Sequence, residues 1–122
     1  MGGLVARYYL TLGPGRHRKR VAHLITVGTP HGGTVFSAFG IGRAQVELRP
    51  RTPFFQRMAA APLPKSTQVT VLWSRADALV GTSEYASWRG CEELVFDDLG
   101  HLSLLYSRRV TAEIIERLRE TS

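Results

Sequence analysis

The sequence predicts an α/β protein with a parallel sheet of about three strands, and three observations carry that prediction. Residues 21–27, 69–73 and 93–96 form short apolar runs rich in β-branched and aromatic residues, the composition and length of buried strands. Residues at helical spacing precede the first run and follow the last, so helices and strands alternate along the chain. A cluster of glycine and polar residues follows each run. Open parallel sheets place their ligands at that end of their strands.

The first helix rests on Leu4, Tyr8 and Leu12, with Val5 and Tyr9 beside them, which make one apolar stripe. Gly13-Pro14-Gly15 stops it, because glycine suits the left-handed position past a last turn and proline cannot continue the helix. Val21-Ala22-His23-Leu24-Ile25-Thr26-Val27 then reads as a strand buried on both faces. Thr52 as N-cap and Pro53 at the first helical position start a short helix carrying Phe54, Phe55 and Met58. Pro62 and Pro64 end it. The last helix spans 108–120, with Ser107 as N-cap and Val110, Ile114 and Leu118 facing inward.

At 122 residues the chain is one domain or part of one. No run approaches the roughly 20 apolar residues of a membrane span, and the N-terminus lacks the basic-then-apolar pattern of a signal peptide. Cys91 stands alone, which excludes an internal disulfide and is compatible with the reducing cytoplasm. Much of the net charge of +6 lies in Arg16-His17-Arg18-Lys19-Arg20. Such a run can meet phosphates or lipid headgroups. No aromatic residues interleave it as a nucleic-acid surface would want, so it reads as a solvated loop and no nucleic-acid partner is expected.

Three polar clusters fall after the strands: Gly28-Thr29-Pro30-His31-Gly32-Gly33, Ser74-Arg75-Ala76-Asp77 and Asp97-Asp98-Leu99-Gly100-His101. Neighbouring strands lie about 4.8 Å apart, so Asp77 and His101 come within hydrogen-bonding reach. A carboxylate holding one imidazole nitrogen while the other takes a hydroxyl proton is the logic of a serine triad. Asp77 also suits a plain turn, and Asp97 and Asp98 compete with it as the acid. His101 equally suits a place at the start of the last helix, and His31 that of a loop residue. Phe54, Phe55 and Met58 fit either a core or an acyl pocket. With one Cys and no close pair among His17, His23, His31 and His101, neither a metal nor another cofactor is expected.

Taken in order, these segments resemble the C-terminal part of an α/β-hydrolase of the bacterial lipase and esterase type. Met1-Gly2-Gly3-Leu4-Val5-Ala6-Arg7-Tyr8 is similar to the residues that follow the nucleophile in the Gly-x-Ser-x-Gly elbow. Val27-Gly28-Thr29-Pro30-His31-Gly32-Gly33-Thr34 resembles the family's loop after the next strand. Residues 49–55 resemble the start of its cap-like segment, here 32–65, while Ser74 to Asp77 and Gly100-His101-Leu102 resemble the segments bearing the catalytic acid and histidine.

The resemblance implies a Ser-His-Asp hydrolase of carboxylic, lipid-like esters, with Asp77 as triad acid and His101 as base. The backbone nitrogen of Met1 is the implied oxyanion donor, and Thr29, His31, Phe54 and Phe55 the implied substrate contacts. It also implies that the serine and the strand leading to it precede Met1, which leaves 122 residues nearly inert alone and strand 21–27 with a bare edge. A bare apolar edge favours self-association. The alternative is an inactive remnant that serves as an interaction or regulatory module.

Overall fold

In the computed structural model the described residues are 2–13, 20–33, 49, 51–77, 80, 86–88 and 90–121. The three apolar runs become β1 (His23–Val27), β2 (Gln68–Ser74) and β3 (Glu92–Phe96). They pair in parallel in the order β1-β2-β3, with Leu24 opposite Val69 and Leu72 opposite Leu94. The chain is thus α/β, as its alternation predicts. The helices given by the described residues are α1 (Gly2–Thr11), α2 (Pro53–Ala60), α3 (His101–Tyr106) and α4 (Arg108–Thr121). None of them is long and apolar enough to cross a membrane.

Strand side chains alternate between faces, so β2 feeds two cores. Val69, Val71 and Trp73 point to one side, where they meet Leu4 and Leu10 of α1, Phe55 and Met58 of α2, and Val80, Ala86 and Trp88. Leu72 points to the other, against Leu104 of α3 and Val110 of α4, with Ile25, Val27, Leu94, Phe96 and Ile114 around them. The sheet is therefore covered on both faces, as a parallel sheet requires.

Four expectations change. β1 has one neighbour among the described residues and is fully buried only at Thr26, whereas β2, paired on both sides, is buried from Val69 to Ser74. The inward stripe of α1 is rotated: Tyr8 is 41% exposed, while Arg7 is buried at 5%. Leu118 is half exposed rather than inward. Gly13 follows the end of α1 without the left-handed φ expected of it, and a Cβ there falls 2.4 Å from the Tyr9 carbonyl oxygen. The basic run at 16–19 and most of the cap-like segment, 34–48 and 50, lie outside the described residues.

A separate turn of helix, α3, precedes α4, and Ser107 divides them. Its hydroxyl accepts from Val110 N at 3.4 Å, the N-cap role that its sequence position predicts. At the far end of α4, Thr121 meets His23 Nδ1 at 2.6 Å, and His23 Nε2 meets Thr70 Oγ1 at 2.8 Å. Arg117 reaches Glu92 at 2.7 Å. These bonds tie α4 to the amino end of all three strands, the end remote from the polar clusters.

Leu72 is fully buried where β2 meets Leu104 and Val110. Leu72→Ala is expected to cost about 2–5 kcal/mol through lost burial and a residual cavity. Urea unfolding followed by circular dichroism checks this, and a loss under about 1 kcal/mol would show the second core to be loosely packed.

Candidate active site

The carboxyl ends of β2 and β3 bring Asp77 and His101 together. β2 ends at Ser74, whose hydroxyl accepts from Ala76 N at 3.3 Å and from Leu99 N at 3.2 Å. One side chain thereby stitches the turn after β2 to the loop after β3. Arg75 N continues the ladder by donating to the Phe96 carbonyl at 2.8 Å, and Asp77 N closes a turn on the Ser74 carbonyl at 3.1 Å. That turn aims the Asp77 side chain inward, where it is 1% exposed.

Asp77 Oδ1 accepts from Val80 N at 3.2 Å, and its Oδ2 lies 2.7 Å from His101 Nδ1. A carboxylate accepts only, so the proton on this bond belongs to Nδ1, and Nε2 is left as the basic nitrogen of the neutral ring. His101 opens α3, whose next turn carries Leu104 into the second core. The ring rests on Gly28, which sits at φ +62° directly after β1. A Cβ at Gly28 falls 3.2 Å from His101 Nδ1 and 3.3 Å from Leu104, so only glycine suits both the backbone and the close approach.

Asp97 and Asp98 do not compete for His101. Both are exposed and paired outward, Asp97 with Arg75 and Asp98 with Arg109. Arg109 holds the Asp98 carboxyl below its ordinary range through that hydrogen bond. Burial pushes the Cys91 thiol up to about 11, which lowers its thiolate content at neutral pH. It also borders the amino end of the sheet, in a cleft of about 340 Å³ with His23, Thr70, Glu92 and Arg117.

The loop after β1 is buried. Thr29 packs against the first turn of α1 so closely that a Cβ on Gly3 falls 2.1 Å from Thr29 Oγ1. His31 is 2% exposed, with Nε2 2.8 Å from Thr26 Oγ1 and its ring 5.0 Å from that of Trp88. Neither side chain presents a surface to solvent. Phe55 belongs to the first core, and Phe54, half-buried, stacks on Tyr8 with centroids 5.9 Å apart. Met1 lies outside the described residues. No three of the described His, Cys, Asp and Glu residues form a group able to hold a metal ion.

Sequence reasoning missed Gly28 as the seat of His101 and Ser74 as the stitch between two loops. Ser74 was visible as the start of the Ser-x-x-Asp cluster, because a serine just past a strand readily bonds backbone amides two residues on. Gly28 was visible only as a strand terminator.

Compared with protein-family models and with curated proteins, the chain matches none.

His31 generates a pH dependence. Burial, and then the Arg7 charge, push its imidazole down to about 3 from 6.5. Between those values the unfolded state binds the proton and the folded state does not, so stability rises with pH across that window. The contribution is complete above about pH 6.5 and is lost as pH falls towards 3. Urea midpoints at pH 4.5 and pH 7 should therefore differ less for His31→Asn than for the parent. An equal difference would remove His31 as a source of acid sensitivity.

Proposed function

We propose that this chain carries the acid and base of a serine ester hydrolase of the α/β-hydrolase type, acting on lipid-like or other carboxylic esters. The observation that carries the reading is the buried Asp77 carboxylate held 2.7 Å from His101 Nδ1 across the ends of adjacent parallel strands. The chain order of acid before histidine is the one this fold uses. The hydroxyl belongs, in this reading, on a serine just before α1, whose first turn abuts Thr29 beside the Gly28 seat of His101.

The chemistry follows from those positions. The serine oxygen bonds to the ester carbonyl carbon while His101 Nε2 takes its proton. Asp77 keeps the ring in the Nδ1–H tautomer and stabilises the imidazolium that forms. The imidazolium then protonates the departing alkoxide as the carbon–oxygen bond breaks, leaving an acyl-enzyme and free alcohol. Water repeats the sequence, releasing the acid and regenerating serine. The oxyanion is held by backbone N–H groups, with Met1 N in the role the resemblance assigns.

The test is hydrolysis of p-nitrophenyl butyrate by the product translated from the in-frame sequence upstream of Met1. His101→Ala is expected to lower kcat by at least about 10³, and Asp77→Asn by about 10⁴ through the wrong tautomer. Turnover that survives both changes, or no turnover in the parent, would remove the pair from any hydrolytic role.

A second reading, an interaction module, is favoured by one observation. β1 pairs on one side only among the described residues, and α1 exposes Val5, Tyr8 and Tyr9. Apolar edges and faces of that kind promote association. Sedimentation of the 122-residue chain is expected to show dimers that dissociate on dilution, and a monodisperse monomer at all concentrations would dispose of it.

A further inference from the structure

Arg7 is a buried cation for which no described residue supplies a carboxylate. Such a charge is costly unless neighbouring groups compensate it. Two do. Nη1 donates to the His31 carbonyl at 3.0 Å, and the guanidinium lies 4.2 Å from the centroid of the Trp88 ring. The same indole packs on the His31 imidazole, which Thr26 holds from below at 2.8 Å. Among the described residues Nε of Arg7 and Nδ1 of His31 have no hydrogen-bond partner, so the charge is not met here by a full set of bonds. Methionine or leucine fills such a place without desolvating a charge, and buried ionic groups replaced by apolar ones often leave stability unchanged or raised.

What the cluster does is hold one loop from two sides. Gly3 and Arg7 lie one turn apart on the same face of α1, and they grip Thr29 and His31 respectively. The loop is itself stiff, with His31 N bonded to the Thr29 carbonyl at 2.9 Å and Gly33 N to the Pro30 carbonyl at 3.0 Å. Its first residue, Gly28, is the seat of His101. A continuous line of contact therefore runs from the first turn of α1 through 28–31 to the imidazole.

We infer that Arg7, clamped between Trp88 and the His31 carbonyl, is a positioning residue that makes the 28–31 loop a spacer between the start of α1 and His101. Resting on the hydrolase reading, this assigns the clamp the separation of nucleophile and base, a distance on which turnover depends steeply. Thr29 and His31 then serve catalysis through the loop rather than by touching substrate.

The experiment has two arms. In the chain itself, Arg7→Met should melt near the parent yet raise amide exchange at His31 and Gly33 by about tenfold or more, the worth of one charge-assisted hydrogen bond. The ¹⁵N signals of His101 should move, while exchange in β2 stays unchanged. Arg7→Lys, which lacks the planar fork that both stacks and donates, should not restore the parent pattern. Unchanged exchange at His31 and Gly33, or full rescue by lysine, would overturn the clamp. If Arg7→Met does not fold, Thr26→Val decides: it keeps the packing, frees His31 Nε2, and should produce the same local opening. In the upstream-extended product, Arg7→Met should lower kcat at least about tenfold with KM and the pH profile unchanged. Equal losses in kcat and in global stability would contradict the spacer. An extended parent without turnover defeats the hydrolase reading alone, and the exchange arm still decides the clamp.

Discussion

A carboxylate withdrawn from water must be met by donors, and at Asp77 that requirement organises one end of the molecule. Its oxygens are engaged by the Val80 amide and by His101, the first residue of α3. The chain holds them by anchoring each to the sheet: the Ser74 hydroxyl ties the loop after β3 to the turn after β2, and Gly28 leaves room for the imidazole at the end of β1. The segments just past all three strands thus meet around a single hydrogen bond. Breaking one partner of a buried pair costs more than the pair contributes, so the arrangement stands or falls together.

The two ends of the sheet divide their tasks. At the amino end, His23, Thr70, Glu92, Arg117 and Thr121 satisfy one another and fasten α4 to the strands. The exposed ion pairs there, like Arg75–Asp97 and Arg109–Asp98 at the opposite rim, contribute little stability individually because water screens them. At the carboxyl end Ser74, Asp77, Thr29 and His31 are buried, and the low dielectric makes each geometry matter more. Hydrophobic packing through Leu72, Val71 and Trp73 holds the ends in register.

The strands were legible because residues on both faces of β2 are apolar, a pattern that only a covered parallel sheet rewards. Asp77 and His101 were legible because each follows a strand by a few residues. The choice among Asp77, Asp97 and Asp98 was not, since it depends on Arg75 and Arg109 drawing two of them outward, contacts that spacing does not encode. Periodicity also placed Tyr8 on the inward stripe of α1 and left Arg7 off it. The structure reverses both, because an indole from a distant segment offers the guanidinium a face to stack on. Leu118 looked inward because Val110, Ile114 and Leu118 were read as one face, but each step of four residues turns about 40° around a helix, and by Leu118 the stripe has drifted toward solvent.

Phosphonylation tests the central claim most directly, because only a hydroxyl activated by this pair reacts readily with a fluorophosphonate. The product of the native locus should take up one adduct, mapped by mass spectrometry to a serine immediately before Met1, and should take up none once His101 is alanine. No adduct, an adduct elsewhere, or labelling indifferent to His101 would contradict the account of Asp77 and His101 as the acid and base of an ester hydrolase.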